Sequence, residues 1–284
     1  MYTFKNLEEM YDYYLTLEKD PTVKKNNFYI MPDKKDIDKL GNLNNIYNRF
    51  YQYMVNYCGY NELPKVMSDK KYLEFASPEV YHGFTKFSHP VTLLSHWNYH
   101  YGQGITPGFY TTNSSEHAKR YTVEDEYMWF TNKDKVMKLK LDTKNAIDYN
   151  EIVDIVNILK NGNFENGSVT EKYSHVLPQL KVLRDFANGK VQEEKKLEHA
   201  KGFLDMFLVK STLAVFLGFD TIIYKNPDQD LTYIIELDRS KLVLSQSEAQ
   251  RFMKKSSKAK NVPLNILSDE EADEIINDSC SQRQ

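Results

Sequence analysis

Apolar and polar residues follow a helical period over much of the chain and a strand period in two separate places. In residues 1–75 apolar positions recur every three or four residues, as in "LEEMYDYYLTLEKD", and this predicts a helical N-terminal region. Residues 149–202 also have a helical pattern but are highly charged. Residues 203–218 form the most apolar helix candidate, which ends at a glycine.

Strand-like runs lie before and after this helical part. The runs "EVYHGF", "GFYTT", "DEYMWFTN" and "KVMKLKLD" fall within residues 78–148. Further on, "FDTIIY" and "LTYIIELD" flank the turn sequence "KNPDQD", which predicts a strand, a turn and a second strand. Residues 246–260 predict a basic amphipathic helix, and the acidic tail that follows is expected to be partly disordered.

This order of elements predicts an α+β fold with a mixed or antiparallel sheet, because a doubly wound parallel sheet would alternate strands and helices regularly. We expect a helical N-terminal region over 1–75 and a central domain over 76–245 with a helical insertion at 149–202. Residues 246–284 are expected to form a C-terminal helix and the acidic tail.

The composition is that of a globular protein and excludes a global nucleic-acid-binding charge. The chain has 284 residues, 41% hydrophobic and 27% charged, with 37 basic and 40 acidic residues and a net charge of −3. Its two cysteines, Cys58 and Cys280, argue against a disulfide framework or a cysteine zinc site. No run approaches the ~20 apolar residues that span a bilayer. The N-terminus does not have the pattern of a cleavable signal peptide, so we expect a cytoplasmic protein, or one delivered into a host cytosol.

Two motifs carry a family resemblance: "VYHGF", and "GFYTTNSSEHAKRY" after it. With "LGFDTIIY" and "LTYIIELDRSKL" they occur in the order found in ADP-ribosyltransferases, over about residues 78–245. The chain resembles most the His-Tyr-Glu branch of the diphtheria-toxin and poly(ADP-ribose) polymerase types. The resemblance implies an ADP-ribosyltransferase-like split sheet and NAD+ as substrate, without a metal.

The resemblance also implies roles for individual residues. The strand histidine would hydrogen-bond a ribose hydroxyl, the next glycine would pair its backbone with the carboxamide, and two tyrosines would enclose the nicotinamide ring. Hydroxyl groups near the second strand would assist. The implied NAD+-binding residues are His82, Gly83, Tyr110, Thr111, Ser115 and Tyr121.

Each of these residues also has an ordinary structural interpretation. His82 alone is more often a hydrogen-bonded strand histidine, and Tyr110 a core residue in a chain with 21 tyrosines. Ser115 is equally suited to cap a helix. The functional interpretation depends on the joint order and spacing of the motifs.

The sequence departs from the family at the glutamate of the His-Tyr-Glu triad, which the family places at the start of a late strand. The alignment places Thr232 at this position, and a hydroxyl brings no negative charge to a cationic transition state. Three alternatives remain: Thr232 itself, Asp230 or Asp228 after a register shift, or Glu236, which shares a strand face with Thr232. We favour Thr232 with Asp230 as the nearest carboxylate, so the implied catalytic residues are His82, Tyr110, Thr232 and Asp230.

The resemblance implies a mono-ADP-ribosyltransferase that acts, by analogy with the family, as a toxin, effector or phage or anti-phage factor. Its partners would be a macromolecular acceptor, protein rather than nucleic acid, and an antitoxin or regulatory protein. An alternative acceptor is RNA or DNA, which a local basic cluster could bind, although a solvated helix face is the interpretation that we favour for it. The residues of this cluster are Arg251, Lys254, Lys255, Lys258 and Lys260. A third hypothesis is a non-catalytic module that binds NAD or ADP-ribose. His96 and His100 have the spacing of metal ligands on a helix but lack a third ligand.

Overall fold

The computed structural model shows a mixed α/β protein. It describes residues 4–19, 46–60, 62–84, 93–94, 106–122, 135–164, 171–188, 197–226, 230–254 and 264–281. In chain order the elements are α1 (Phe4–Lys19), α2 (Ile46–Tyr57), β1 (Lys65–Met67), α3 (Asp69–Glu74), β2 (Val80–Gly83), β3 (Phe109–Thr112), α4 (Ser115–Arg120), β4 (Val136–Leu141), β5 (Ala146–Asp148), α5 (Tyr149–Asn161), α6 (Leu177–Ala187), α7 (Leu197–Phe207), α8 (Lys210–Phe216), β6 (Thr221–Asn226), β7 (Leu231–Glu236), β8 (Leu242–Ser245), α9 (Gln246–Lys254) and α10 (Asp269–Ser281).

The chain divides into two compact units that share the sequence in alternating stretches. A helical unit combines Met1–Cys58, Gln103–Pro107 and Ile147–Phe219. A sheet unit combines the remaining stretches, Gly59–Gly102, Gly108–Ala146 and Asp220–Gln284. The N-terminal helices α1 and α2 and the helices of the predicted insertion therefore fall within the same unit.

Aromatic side chains form the core of the helical unit. Phe203 on α7 is fully buried and contacts Tyr11 of α1 and Phe50 of α2 edge-on, with ring centroids 5.3 and 5.8 Å apart. Gly202 beside it is required by packing, because a Cβ there would lie 2.2 Å from the hydroxyl oxygen of Tyr14. The helical period in the first residues thus corresponds to a buried aromatic face.

The eight strands form one mixed sheet in the order β1-β8-β4-β2-β3-β7-β6-β5. The β1–β8 pair is parallel, and the neighbouring pairs from β8 to β6 are antiparallel. The predicted α+β class with a mixed sheet is confirmed at this level. The strands "VYHG", "FYTT" and "VMKLKL" and the β6–β7 pair lie where the sequence predicts them, whereas "DEYMWFTN" lies outside the described residues.

The prediction of one continuous helix over residues 203–218 is wrong. The chain leaves the helical conformation at Val209, which has φ −72° and ψ 117°, and α8 begins after it. The hydroxyl of Thr106 accepts a hydrogen bond of 3.0 Å from the backbone N–H of Ser211. A side chain from a distant segment therefore satisfies a free N–H group at the new helix start. The predicted terminal glycine, Gly218, follows α8 with φ +89°.

The acidic tail is not disordered over residues 269–281, because it forms α10. Ser268 and Glu271 make a capping box: the Glu271 N–H donates to Ser268 Oγ at 3.2 Å, and the Ser268 N–H donates to the Glu271 carboxylate at 2.7 Å. Ala272 is buried in an apolar cluster with Met67 and Phe75. A regular cap and a buried face explain why this charged segment is ordered.

Candidate functional site

The sheet opens between its two central strands, β2 and β3. β2 is paired with β4 at all four of its residues, and β3 is paired with β7 along its whole length. Between β2 and β3, however, the only pair is Tyr81 opposite Thr112. The two strands therefore separate on the side of this pair that holds Gly83 and Tyr110.

The backbone of Gly83 faces this opening. Next to it, the N–H of Phe84 donates to the carbonyl of Lys135 at 2.9 Å, on the side of β4. Successive residues of a strand point their peptide groups to alternate sides, so the N–H and C=O of Gly83 point towards β3. Continuing the register would place Tyr110 opposite Gly83, but these two described residues form no strand pair. Gly83 thus presents one donor and one acceptor to the opening.

The imidazole of His82 bridges the two strands. Its Nδ1 lies 2.6 Å from the carbonyl oxygen of Tyr110. Because a carbonyl only accepts, Nδ1 carries the proton and Nε2 is left as an acceptor. The ring stacks on Phe109 with centroids 4.2 Å apart and meets Phe84 edge-on at 4.5 Å. Burial lowers the pKa of His82 from 6.5 to about 4, although the bond to Tyr110 opposes the shift, so the ring is neutral at physiological pH.

The Nε2 atom of His82 is buried and has no hydrogen-bond partner within the described part of the chain. An unsatisfied buried acceptor is costly, and a hydroxyl group that donated to it would remove that cost. Phe84 and Phe109 enclose the ring. A ligand hydroxyl therefore reaches Nε2 only if the groups that bury this atom are displaced.

The helix α4 packs over Gly83. Ser114, not Ser115, is its N-cap: the Oγ of Ser114 accepts from the N–H of His117 at 3.2 Å. A Cβ at Gly83 would lie 2.0 Å from the carbonyl oxygen of Ala118. A glycine at this position is therefore required by the close approach of the helix backbone.

The same helix brings Tyr121 to the level of the opening. α4 begins just beyond Thr112, and its fourth residue, Ala118, lies over Gly83, so the helix runs back along β3. Its six residues span about 9 Å, which is the length of about three strand residues. Tyr121 ends α4 and is 48% exposed. The side-chain direction of Gly83 is towards α4, and strand alternation with the Tyr81–Thr112 pair places the side chain of Tyr110 on this same face.

Tyr121 belongs to a hydroxyl cluster that we define as His117, Tyr121 and Tyr233. The hydroxyl of Tyr233 on β7 lies 2.6 Å from Nε2 of His117. The hydroxyl of Tyr121 donates to the hydroxyl oxygen of Tyr233 at 3.4 Å. His117 Nε2 also lies 3.3 Å from the hydroxyl of Tyr121. Burial is the main cause that raises the pKa of Tyr233 and lowers the pKa of His117.

Sequence reasoning did not identify His117 or Tyr233. Two signals were present: His117 and Tyr121 are four residues apart on a short helix, and Tyr233 directly follows Thr232. What could not be known is that β7 lies next to β3, which places Tyr233 within reach of α4.

Thr232 lies near the paired end of β3. Its N–H donates to the side-chain oxygen of Asn113 at 3.1 Å, and its carbonyl accepts from the N–H of Asn113 at 3.3 Å. Tyr110, by contrast, lies opposite Ile235, so Thr232 is three residues along β7 from the level of the opening. Asp230 is exposed and precedes β7 with φ +44°. The strand alternation that relates Thr232 to Glu236 therefore does not extend to Asp230.

The carboxylate of Glu236 is committed to the core. Its side chain is fully buried, and the Thr221 hydroxyl donates to its two oxygens at 2.9 and 3.0 Å. Burial, followed by the neighbouring carboxylates of Asp220 and Asp238, raises the pKa of Glu236 well above 4.5. An acid in this environment holds its proton to a higher pH than an exposed glutamate does, and it serves here as a buried hydrogen-bonding group.

The remaining predicted residues are not all brought together. Thr111 is buried, and its hydroxyl donates to the carbonyl of Ile234 at 3.2 Å, on the sheet face opposite to Tyr110. Ser115 is half-buried at the beginning of α4, whereas Tyr121 ends this helix. The opening therefore borders four of the predicted residues. Gly83, Tyr110 and Tyr121 lie on the face of α4, whereas the side chain of His82 lies on the opposite face, stacked on Phe109.

Other candidate sites receive less support. His96 and His100 lie outside the described residues, as do Lys255, Lys258 and Lys260 of the basic cluster. Arg251 is bound to both carboxylate oxygens of Glu248, at 2.6 and 2.8 Å, and to the carbonyl of Val136. In the described ranges no three His, Cys, Asp or Glu side chains are grouped to hold a metal ion. None of the helices in these ranges is long and apolar enough to cross a membrane.

Comparison of the chain with protein-family models, with curated proteins and with solved structures gave no match.

Proposed function

We propose that the chain is a mono-ADP-ribosyltransferase that binds NAD+ at the opening between β2 and β3. The observation that carries this proposal is the pair of backbone groups of Gly83. One N–H and one C=O, side by side on a strand edge, complement the C=O and NH2 of a primary carboxamide. Nicotinamide carries this group, and the motif resemblance implies the same pairing.

The neighbouring side chains supply the other parts of a nicotinamide riboside site. Tyr110 and Tyr121 lie on the same face of the sheet and would enclose the nicotinamide ring. Neutral His82 lies on the opposite face and offers Nε2 as an acceptor for a ribose hydroxyl at the edge of the opening, provided that the groups that bury this atom move aside. These residues orient the substrate and exclude water, which is the main requirement of a reaction through an oxocarbenium-like ribose.

In the proposed reaction the bond between the nicotinamide nitrogen and C1′ of the ribose breaks. Nicotinamide leaves as a neutral molecule with the bonding electron pair. A nucleophile of a macromolecular acceptor then bonds to C1′ and loses its proton to solvent. NAD+ is thus a substrate, and the products are nicotinamide, one proton and the ADP-ribosylated acceptor.

The position of the family glutamate determines the type of product. Thr232 brings no charge there, Asp230 is the nearest carboxylate along the chain, and Glu236 is buried in the core. Without a carboxylate to activate a further ribose hydroxyl, transfer stops at one ADP-ribose. We expect a protein acceptor, action in the cytosol as a toxin, effector or phage-related factor, and restraint by an antitoxin or regulatory protein.

The same observation favours a second candidate, a module that binds NAD or ADP-ribose without transfer. The Gly83 groups and the tyrosines suffice for binding, whereas bond cleavage gains from a negative charge near C1′. Nicotinamide release separates these two functions.

The test is transfer of label from tagged NAD+ in a cell lysate, together with nicotinamide release. Wild type should label a macromolecule and release nicotinamide, and His82→Ala and Tyr110→Ala should do neither. Tyr72→Phe is the matched control, because its buried hydroxyl has no partner among the described residues. Sensitivity of the label to protease or to nuclease identifies the acceptor class. Saturable NAD+ binding without nicotinamide release would overturn the transferase and leave the binding module.

A further inference from the structure

We infer that His117 and Tyr233 are positioning residues that hold the ring of Tyr121 over the nicotinamide subsite. This inference rests on the proposed function, since it assigns Tyr121 the role of closing that subsite. It concerns two residues that neither the motifs nor the family resemblance pointed to.

The ring of Tyr121 needs a support to keep one orientation. It ends a helix of six residues and is 48% exposed. A tyrosine in this situation usually samples several rotamers, and an aromatic ring contributes fully to a binding site only when its orientation is fixed beforehand. A hydrogen bond at the far end of the ring is one way to fix it.

The hydroxyl cluster supplies this hydrogen bond with a defined direction. Tyr121 O–H donates to the hydroxyl oxygen of Tyr233 at 3.4 Å. Tyr233 can then donate its own proton to Nε2 of His117 at 2.6 Å, if the His117 proton is on Nδ1. Burial lowers the pKa of His117, which favours the neutral ring that this arrangement needs. The chain of donors thus runs from Tyr121 through Tyr233 to His117.

Both supporting residues, His117 and Tyr233, are themselves held in place. His117 lies on α4 and its own N–H is bonded to the cap residue Ser114. Tyr233 lies in the middle of the β3–β7–β6 ladder, opposite Thr112 and Tyr224, and its ring stacks on Tyr224 with centroids 5.9 Å apart. The cluster therefore ties the end of α4 to a strand that does not border the opening.

The contact of Tyr121 with the substrate is expected to affect KM and not kcat. Tyr121 would stack on the nicotinamide ring in the bound substrate and in the transition state alike. Loss of such an interaction raises KM and leaves kcat nearly unchanged. A purely structural role of the cluster would instead reduce the amount of active protein, which lowers kcat at constant KM.

The experiment measures nicotinamide release by Tyr233→Phe, His117→Ala and His117→Gln. Tyr233→Phe and His117→Ala should raise KM for NAD+ about 3- to 10-fold, the loss expected for one hydrogen bond. His117→Gln should restore most of the loss, because the amide oxygen can accept from Tyr233. Tyr72→Phe, which removes a tyrosine hydroxyl elsewhere in the sheet unit, should leave KM unchanged.

A second background tests whether the two residues act through Tyr121. In Tyr121→Ala the same His117 and Tyr233 substitutions should have no further effect on KM, because the ring they position is gone. Equal effects in both backgrounds would overturn the inference. So would lower kcat at unchanged KM.

A readout without NAD+ separates this inference from the proposed function. In protein labelled with 13C-tyrosine, the ring signal of Tyr121 is the one that disappears in Tyr121→Phe. Tyr233→Phe and His117→Ala should move it to the position of a freely rotating tyrosine, while His117→Gln and Tyr72→Phe should not. If wild type releases no nicotinamide, the proposed function fails, but a shift of this signal still supports the positioning roles. An unmoved signal refutes them.

Discussion

Acid should destabilise the protein through His82, and this prediction can be tested without any ligand. The ring is neutral in the folded protein because burial lowers its pKa from 6.5 to about 4. Between these two values the unfolded chain binds a proton that the folded chain does not. The free energy of unfolding contributed by this residue is therefore complete above about pH 7 and declines as the pH falls.

The magnitude follows from the size of the shift. A difference of about 2.5 pH units corresponds to a loss of about 3 kcal/mol between pH 7 and pH 4. This is a large fraction of the stability of a typical domain. It results from one imidazole whose Nδ1 is bonded to Tyr110 and whose ring is stacked on Phe109.

The assay compares urea unfolding of wild type and His82→Asn from pH 4 to pH 8. The asparagine amide can still donate to the Tyr110 carbonyl but does not titrate. Its smaller side chain lowers stability at every pH, so the informative quantity is the difference between the two curves. This difference should narrow by about 3 kcal/mol as the pH falls from 7 to 4. Glu236 changes stability in the opposite direction but does so in both proteins.

A difference that stays constant with pH would refute the reasoning. It would mean that His82 is protonated in the folded state, or that its ring is not buried as described. In either case Nε2 would not be the neutral acceptor on which its role towards a ribose hydroxyl depends.

Three further substitutions test other parts of the site. Gly83→Ala should lower the free energy of unfolding by about 1–3 kcal/mol in urea and weaken NAD+ binding, because its Cβ would meet the carbonyl of Ala118 at 2.0 Å. Glu236→Gln should equal or exceed wild-type stability at pH 8 and lose this advantage at pH 4. Because the pKa of Glu236 is raised in the folded protein, the contribution of this residue to the free energy of unfolding is complete below pH 4.5 and is lost as the pH rises. Thr232→Glu should increase nicotinamide release about tenfold, because it supplies a negative charge to the cationic transition state.

Each of these has a contrary result. Normal stability and NAD+ binding in Gly83→Ala would contradict the packing of α4 on β2. A stability loss in Glu236→Gln that grows with pH would show that Glu236 is ionised in the folded protein. No gain in Thr232→Glu, in a protein that still binds NAD+, would show that this position does not face C1′.

Local sequence patterns located the elements that form the site. The strand-like runs of β2 and β3 are properties of consecutive residues, and the sequence predicts both strands. For α4 the sequence does not decide which of two adjacent serines is the N-cap, because both have the hydroxyl that a cap needs. Only the position of the extended residue, Ser114, decides between them.

Features that depend on distant contacts were not predictable. β1 and β8 are three and four residues long, so neither has a pattern long enough to read. They also pair in parallel between distant parts of the chain, with Lys65 opposite Val243. The break at Val209 depends on Thr106, which lies far away in sequence. In the site, alternation placed Glu236 on the face of Thr232 but gave no information on burial, and burial decides its chemistry.

The opening itself is a missing interaction, which no sequence pattern specifies. Ladder pairs between β2 and β3 would be equally compatible with both sequences. What separates the strands is that His82 replaces the backbone of Gly83 as the donor to Tyr110. A side chain that competes with the ladder is recognised only when both strands are in place.

The most direct test of the central claim is the amide signal of Gly83 during titration with NAD+. His82–Gly83 is the only His-Gly sequence in the chain, so protein with 13C-carbonyl histidine and 15N-glycine gives a single filtered signal. This signal should shift saturably with NAD+ and with nicotinamide alone, but not with ADP-ribose, which lacks the carboxamide. If the signal does not move while NAD+ binds elsewhere, or does not move because NAD+ does not bind at all, the site between β2 and β3 is refuted.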